Sequence, residues 1–183
     1  MQEQSTAVVE RMKAAIRNIP DFPKPGIQFK DITPIFLDPQ LCTDIIESLN
    51  EEFHLQDFDA IVGIESRGFL FGLAMATRMR KPFVLIRKAG KLPAATVSYK
   101  YQLEYGEATI EVHEDAIQPG WKVLVHDDLL ATGGTAQAAG KLVEKLGAEV
   151  AAYSFLVDLS FLNGKAVLQQ EFPKALIHGL SSY

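Results

Sequence analysis

Apolar residues recur early in the chain at Val8, Val9, Met12, Ile16 and Ile19, a helical spacing that predicts a helix from about Thr6 to Asn18. Pro20, Pro23, Pro25 and Gly26 break that pattern and demand turns. Ile27 to Pro34 reads as extended chain, and Leu41, Ile45, Ile46 and Leu49 form the face of a second helix. From there the pattern alternates. Asp59 to Ile64, Pro82 to Ile86, Lys122 to His126 and Val150 to Val157 are short, near-continuous apolar runs, as expected of strands buried on both faces. Two helical patterns lie among them, Gly68 to Arg80 and Thr135 to Leu146. The second carries Ala136, Ala139, Leu142, Val143 and Leu146 on one face, with Gly147 as its stop. Such alternation predicts an α/β fold, a mainly parallel sheet with helices on both faces.

Lys91 to Glu111 departs from this rhythm. It holds Tyr99, Lys100, Tyr101, Glu104, Tyr105 and Gly106 without a sustained helical period, and Thr109 to His113 alternates apolar and polar. The pattern predicts an antiparallel hairpin outside the main sheet. A long polar-aromatic insertion in a compact domain is usually functional, as a lid would be. Phe161 to Tyr183 shows no chemistry-bearing pattern.

Composition narrows the class. The chain has 183 residues, 48% of them hydrophobic and 22% charged, enough apolar surface to fold as a single globular domain. Lys plus Arg is 18 and Asp plus Glu 23, a net charge of −5, which argues against nucleic acid as a partner. Cys42 is the one cysteine, so no internal disulfide forms. The N-terminal stretch lacks the apolar region of a secretory signal, and no run approaches the ~20 residues of a membrane span. A cytoplasmic protein without a membrane partner is expected.

The strongest chemical signal is VLVHDDLLATGGT, residues 123–135. A buried strand delivers Asp127 and Asp128 at its carboxyl end, where α/β sheets bind their ligands. The loop Ala131, Thr132, Gly133, Gly134 and Thr135 has small side chains, so its N–H groups can approach a phosphate, and the following helix adds the positive end of its dipole. The two acids would repel that anion. Vicinal ribose hydroxyls suit them, since each carboxylate accepts one O–H. The segment therefore reads as a ribose 5-phosphate site. The dinucleotide pattern GxGxxG is absent, and residues 134–141 fail as a P-loop because five residues separate Gly134 from Gly140 and Leu142 stands where Ser or Thr is needed.

The same segment resembles the phosphoribosyl-diphosphate motif of the type I phosphoribosyltransferases. The pieces FPKPGIQFKDITP (22–34), ESRGF (65–69), RKAGKLP (87–93) and LEYG (103–106) resemble the adenine enzymes of that family, and the similarity runs from about Ile19 to Leu159. The resemblance implies the type I fold with a small N-terminal hood at about residues 20–36 and a flexible hairpin lid at about 93–112. It implies conversion of adenine and 5-phosphoribosyl 1-diphosphate to AMP and pyrophosphate, with Mg²⁺ held mainly by substrate and water, in a homodimer. Ser66, Arg67, Arg87, Lys88 and Lys91 would hold the pyrophosphate, and a cis peptide is expected at Glu65–Ser66. Glu104 would serve the base proton as the new bond forms, with Arg67 the other catalytic residue, and Tyr105 would help close the lid. Ile27, Gln28, Phe29, Lys30 and Leu129 would form the base pocket. Gln28 and Lys30 stand where many similar enzymes carry an aliphatic residue and Arg.

Two rivals remain open. One is the same transfer to hypoxanthine or xanthine, which would need a donor such as lysine near O6; no lysine follows Val150 before Lys165. The other is a non-catalytic sensor of the sugar diphosphate, for which the N-terminal stretch is too short to supply a DNA-binding domain. His54, His113, His126 and His178 lack metal-ligand spacing and read as structural.

Overall fold

The structure is a computed structural model that describes residues 2–22, 24–102 and 106–183. The chain divides into two compact units, Met1–Phe53 and His54–Tyr183.

In the first unit, helix α1 (Gln2–Ala15) buries Val8 and Met12. It stops short of the predicted end. Ile19 lies instead in strand β1 (Arg17–Pro20), antiparallel to β2 (Gln28–Asp31) with Ile19 opposite Phe29. Pro20 explains the difference, because a residue before proline is pushed out of the helical region into the extended one. The extended reading of Ile27 to Pro34 holds through Asp31, after which Thr33–Leu37 forms a 3₁₀ turn. Helix α2 (Pro39–Phe53) buries Leu41, Ile45, Leu49 and Phe53. Asp38 caps it by accepting the Leu41 N–H at 2.9 Å, with proline at the first helical position.

The second unit is a seven-stranded sheet. Its strands are β3 (Ala60–Ile64), β4 (Phe83–Lys88), β5 (Thr96–Gln102), β6 (Glu107–His113), β7 (Lys122–Leu130), β8 (Glu149–Asp158) and β9 (Leu176–Ser182), in the order β5-β6-β4-β3-β7-β8-β9. β4, β3, β7, β8 and β9 run parallel. Helix α4 (Gly134–Lys145) buries Ala136, Ala139, Leu142 and Val143 in one core with Val62, Val84 and Val125 of the sheet. Helix α3 (Gly68–Met79) follows β3. Among the described residues, no helix is long and apolar enough to cross a membrane.

Three expectations are corrected. The hairpin β5–β6 is antiparallel, but it extends the main sheet, since β6 pairs with β4 at Arg87↔Glu111 and Lys88↔Ile110. β4 continues past its apolar run to Lys88 and offers a backbone edge that side-chain pattern does not reveal. For the same reason Arg87 and Lys88, beyond the apolar run that ends at Ile86, are the last residues of the strand. β7 runs on through the two aspartates to Leu130, because β8 keeps pairing with it from Asp127↔Phe155 to Leu130↔Asp158. The chemically silent tail forms helix α5 (Gly164–Glu171) and the edge strand β9, burying Leu168, Phe172 and Ile177.

Candidate active site

The site lies at the carboxyl edge of the parallel strands. β3 ends at Ile64, a cis peptide joins Glu65 to Ser66, and α3 begins at Gly68. A Cβ on Gly68 would stand 2.9 Å from both Asp127 Oδ1 and the His126 carbonyl, so only glycine lets α3 start hard against the end of β7. That approach brings Arg67 to Asp128, with Nε 2.6 Å from Oδ2. Asp128 is 4% exposed. Asp127 Oδ1 accepts the N–H of Asp128 at 2.9 Å. Burial, and then the adjacent Asp128 charge, push the Asp127 carboxyl well above its ordinary pKa, against the pull of Arg67.

Arg67, Asp127 and Asp128 line a cleft of about 620 Å³ together with Ser66, Lys88 and Thr135, and the hairpin contributes Tyr101 and Ile110. Leu129 to Ala136 and Asp127 line a smaller cavity of about 90 Å³ inside the loop. The loop turns into α4 at Gly133, whose φ of 87° requires glycine. A Cβ there would also lie 2.9 Å from the Gly164 carbonyl, and one on Gly164 would collide with the Ala131 carbonyl. The start of α5 thus supports the loop, backbone against backbone.

The basic flank is organised by two acids. Glu65 accepts the Lys88 N–H at 2.9 Å and takes Arg87 Nε at 3.2 Å and Nη2 at 3.4 Å. Arg87 Nη1 donates to the Lys91 carbonyl at 3.1 Å. Burial works against the Glu65 charge, but the Lys88 N–H and the Arg87 guanidinium outweigh it and hold the carboxyl below its usual range. Glu111, 6% exposed, accepts the N–H groups of Lys91 and Leu92, each at 2.9 Å. The Leu92 N–H and its neighbours overcome burial and lower the Glu111 pKa as well.

The profile of the phosphoribosyl transferase domain family matches residues 32–160. An adenine phosphoribosyltransferase of Cytophaga hutchinsonii is 53% identical over 156 residues, 85% of this chain and 86% of that protein. The crystal structure of adenine phosphoribosyltransferase from Thermoanaerobacter pseudethanolicus matches with a TM-score of 0.90 and 47% identity, over 96% of this chain and 99% of that one. The Saccharomyces cerevisiae enzyme, complexed with D-2,5-dideoxy-2,5-imino-altritol 1,6-bisphosphate and adenine, matches with a TM-score of 0.87 and 40% identity, over 96% and 99%. The chain belongs to the adenine phosphoribosyltransferase family.

Against the residues expected of an adenine phosphoribosyltransferase, the structure brings Ser66, Arg67, Lys88, Asp127, Asp128 and Thr135 to one cleft and Ala131 to Gly134 to the adjoining loop. Arg87 is drawn to Glu65, and Lys91 is exposed with its backbone held by Glu111 and Arg87. Leu129 lines the loop cavity. Ile27 and the β2 residues Gln28, Phe29 and Lys30 belong to the first unit. There the Phe22 and Phe29 rings meet edge-on at 5.1 Å, and burial lowers the Lys30 pKa. Glu104 and Tyr105 lie outside the described residues. His126 is fully buried with Nδ1 3.1 Å from Ser154 Oγ. Burial pushes its pKa down to about 3, so it stays neutral and fills a structural place.

Sequence reasoning assigned no role to Glu65, Glu111 or Tyr101. The two glutamates act largely on backbone N–H groups, which leave no trace in a residue pattern. Tyr101 had a signal, its place with Tyr99 on alternate positions of one strand, but no motif marked its partner.

Proposed function

We propose that this enzyme transfers the phosphoribosyl group of 5-phosphoribosyl 1-diphosphate to adenine, yielding AMP and pyrophosphate in purine salvage. The observation that carries the reading is the end of β7, where two aspartates and a small-residue loop opening a helix border one cleft beside Arg67. The loop N–H groups and the Thr132 and Thr135 hydroxyls receive the 5-phosphate. Asp127 and Asp128 take the ribose hydroxyls, and their charge favours the positive sugar that develops as the bond from C1 to the diphosphate breaks. The electron pair of that bond leaves on pyrophosphate, which Ser66, Arg67, Lys88, Arg87 and Lys91 stabilise. Adenine N9 then bonds to C1 and gives up its proton, which Glu104 accepts. The hairpin, as a lid over about residues 93–112 with Tyr105, keeps water from the reactive sugar. Of the residues that the resemblance assigns to the base, Leu129 stands in the same unit as the cleft.

Mg²⁺ fits this chemistry. The ion takes oxygen ligands and keeps several waters. Substrate oxygens and water would supply most of its ligands. Bound there, it would neutralise diphosphate charge. A homodimer is supported by Leu70 and Leu73, 52% and 55% exposed one turn apart on α3, and by Leu85, 41% exposed on β4. A cytoplasmic setting suits a chain with one cysteine.

Mixing the protein with adenine, the sugar diphosphate and Mg²⁺ is expected to produce AMP. Turnover of hypoxanthine or xanthine in place of adenine would reassign the base. Tight binding of the sugar diphosphate without turnover of any base would make the protein a sensor.

A further inference from the structure

Tyr101 stands on β5 with its hydroxyl 3.2 Å from Thr135 Oγ1. Thr135 is the second residue of α4, and it borders both the large cleft and the loop cavity. β5 is tied to α4 at a second point, where Lys145 Nζ donates to the Ser98 carbonyl at 3.0 Å and lies 5.5 Å from the Tyr99 ring centre. Thr135 and Lys145 are roughly 15 Å apart along the helix. The strand therefore runs along α4 with one tie near each end. Only the Tyr101 tie reaches a residue of the phosphate loop.

Either hydroxyl of this pair can donate, and acidity favours one direction. A phenol, with a pKa of about 10, is a better donor than an aliphatic hydroxyl. With Tyr101 as donor to Thr135 Oγ1, Thr135 keeps its own proton for another acceptor. Linked hydroxyls polarise one another, so a threonine that accepts from tyrosine is a stronger donor onward.

We propose that Tyr101 is a positioning residue for the 5-phosphate of the sugar substrate. It fixes the Thr135 hydroxyl with its proton toward the loop cavity, and by doing so makes phosphate in the loop and the hairpin against α4 favour each other. The proposal rests on the reading of residues 131–135 as the phosphate loop.

The test is a double-mutant cycle on the full-length enzyme. Tyr101→Phe keeps the ring and removes one hydrogen bond. It is expected to raise KM for the sugar diphosphate about fivefold, with kcat and KM for adenine unchanged. In a Thr135→Val background the same change is expected to have no further effect, while a Thr135→Ser background restores the dependence on Tyr101. Calorimetric binding of ribose 5-phosphate to the same variants reads the coupling without turnover. An unchanged sugar KM, effects that multiply across the two sites, or an equal rise in adenine KM would overturn the role of Tyr101. A Tyr101→Phe protein that melts earlier but binds the sugar as before would make the contact structural, and overturn the role too. Absence of AMP from the unaltered enzyme is a different failure, one that removes the proposed reaction itself.

Discussion

Asp127 at the end of β7, and Glu65 and Glu111 around the end of β4, are the same functional group under opposite electrostatics. Each glutamate is answered within the protein. Glu65 has Arg87 and the Lys88 N–H, Glu111 has the Lys91 and Leu92 N–H groups, and both carboxyls sit below their usual range. Asp128 is answered too, by Arg67 at 2.6 Å, whereas Asp127 is driven upward by burial and by its neighbour. A carboxylate satisfied by its surroundings holds structure in place. One held against its own electrostatic preference is available to a ligand, because ligand O–H groups or cations relieve the cost.

Replacing both aspartates by asparagine is the strongest way to break this comparison. Two charge-assisted hydrogen bonds at about 1.5–3 kcal/mol each predict a loss on the order of 10²- to 10⁴-fold in kcat/KM. The loss is expected in both sugar affinity and turnover, and unchanged kinetics would remove the ribose assignment. Glu65→Gln should act mainly on stability, by about 1–3 kcal/mol in urea denaturation, because a half-buried acceptor of a guanidinium and an N–H is weakened. Glu111→Gln should cost less, about 1 kcal/mol, since its partners are backbone N–H groups. The smallest expected effect has the opposite sign. Asp127→Asn keeps an oxygen for the Asp128 N–H and removes an unfavourable charge, so the unliganded protein should gain up to about 1 kcal/mol at pH 7 while losing activity.

The pH dependence separates the two kinds further. The folded pKa values of Glu65 and Glu111 are depressed, so their contribution is present above the ordinary value of 4.5 and fades as pH falls through the lower folded values. The folded pKa of Asp127 is raised. Its penalty is absent below 3.8, grows as pH rises from there, and is complete above the folded value. The stability gap between Asp127→Asn and the unaltered protein should therefore shrink as urea titrations move from pH 7 toward pH 4. A gap independent of pH would contradict the assigned cause.

What the sequence revealed follows the same division. The residue 123–135 segment is legible because strand, acids, small residues and helix start are contiguous, so local chemistry predicts the ligand. The parallel strands β3, β4, β7 and β8 are legible because their apolar runs have no second interpretation of that length, whereas β9, in the stretch read as silent, was not foreseen. Glu65 and Glu111 were opaque because their partners are distant in sequence and mostly main chain. The placement of the hairpin was opaque for a related reason, since β4 and β6 join through backbone groups at Arg87 and Lys88, which as side chains look like solvent-facing charge. Ile19 misled because its spacing fits a helix, whereas the neighbouring Pro20 forbids one.

The Gly133–Gly164 contact reaches further than its size suggests. A chain trimmed after residue 160, where the family profile stops, would keep every acid and loop residue named above. It would lose the wedge beneath the bend at Gly133, and with β9 gone the flank of β8 would be bare, an apolar rim that recruits other chains. The stretch without a motif is in this sense the keel of the sugar site, and a minimal catalyst cut to its signatures would aggregate before it could turn over.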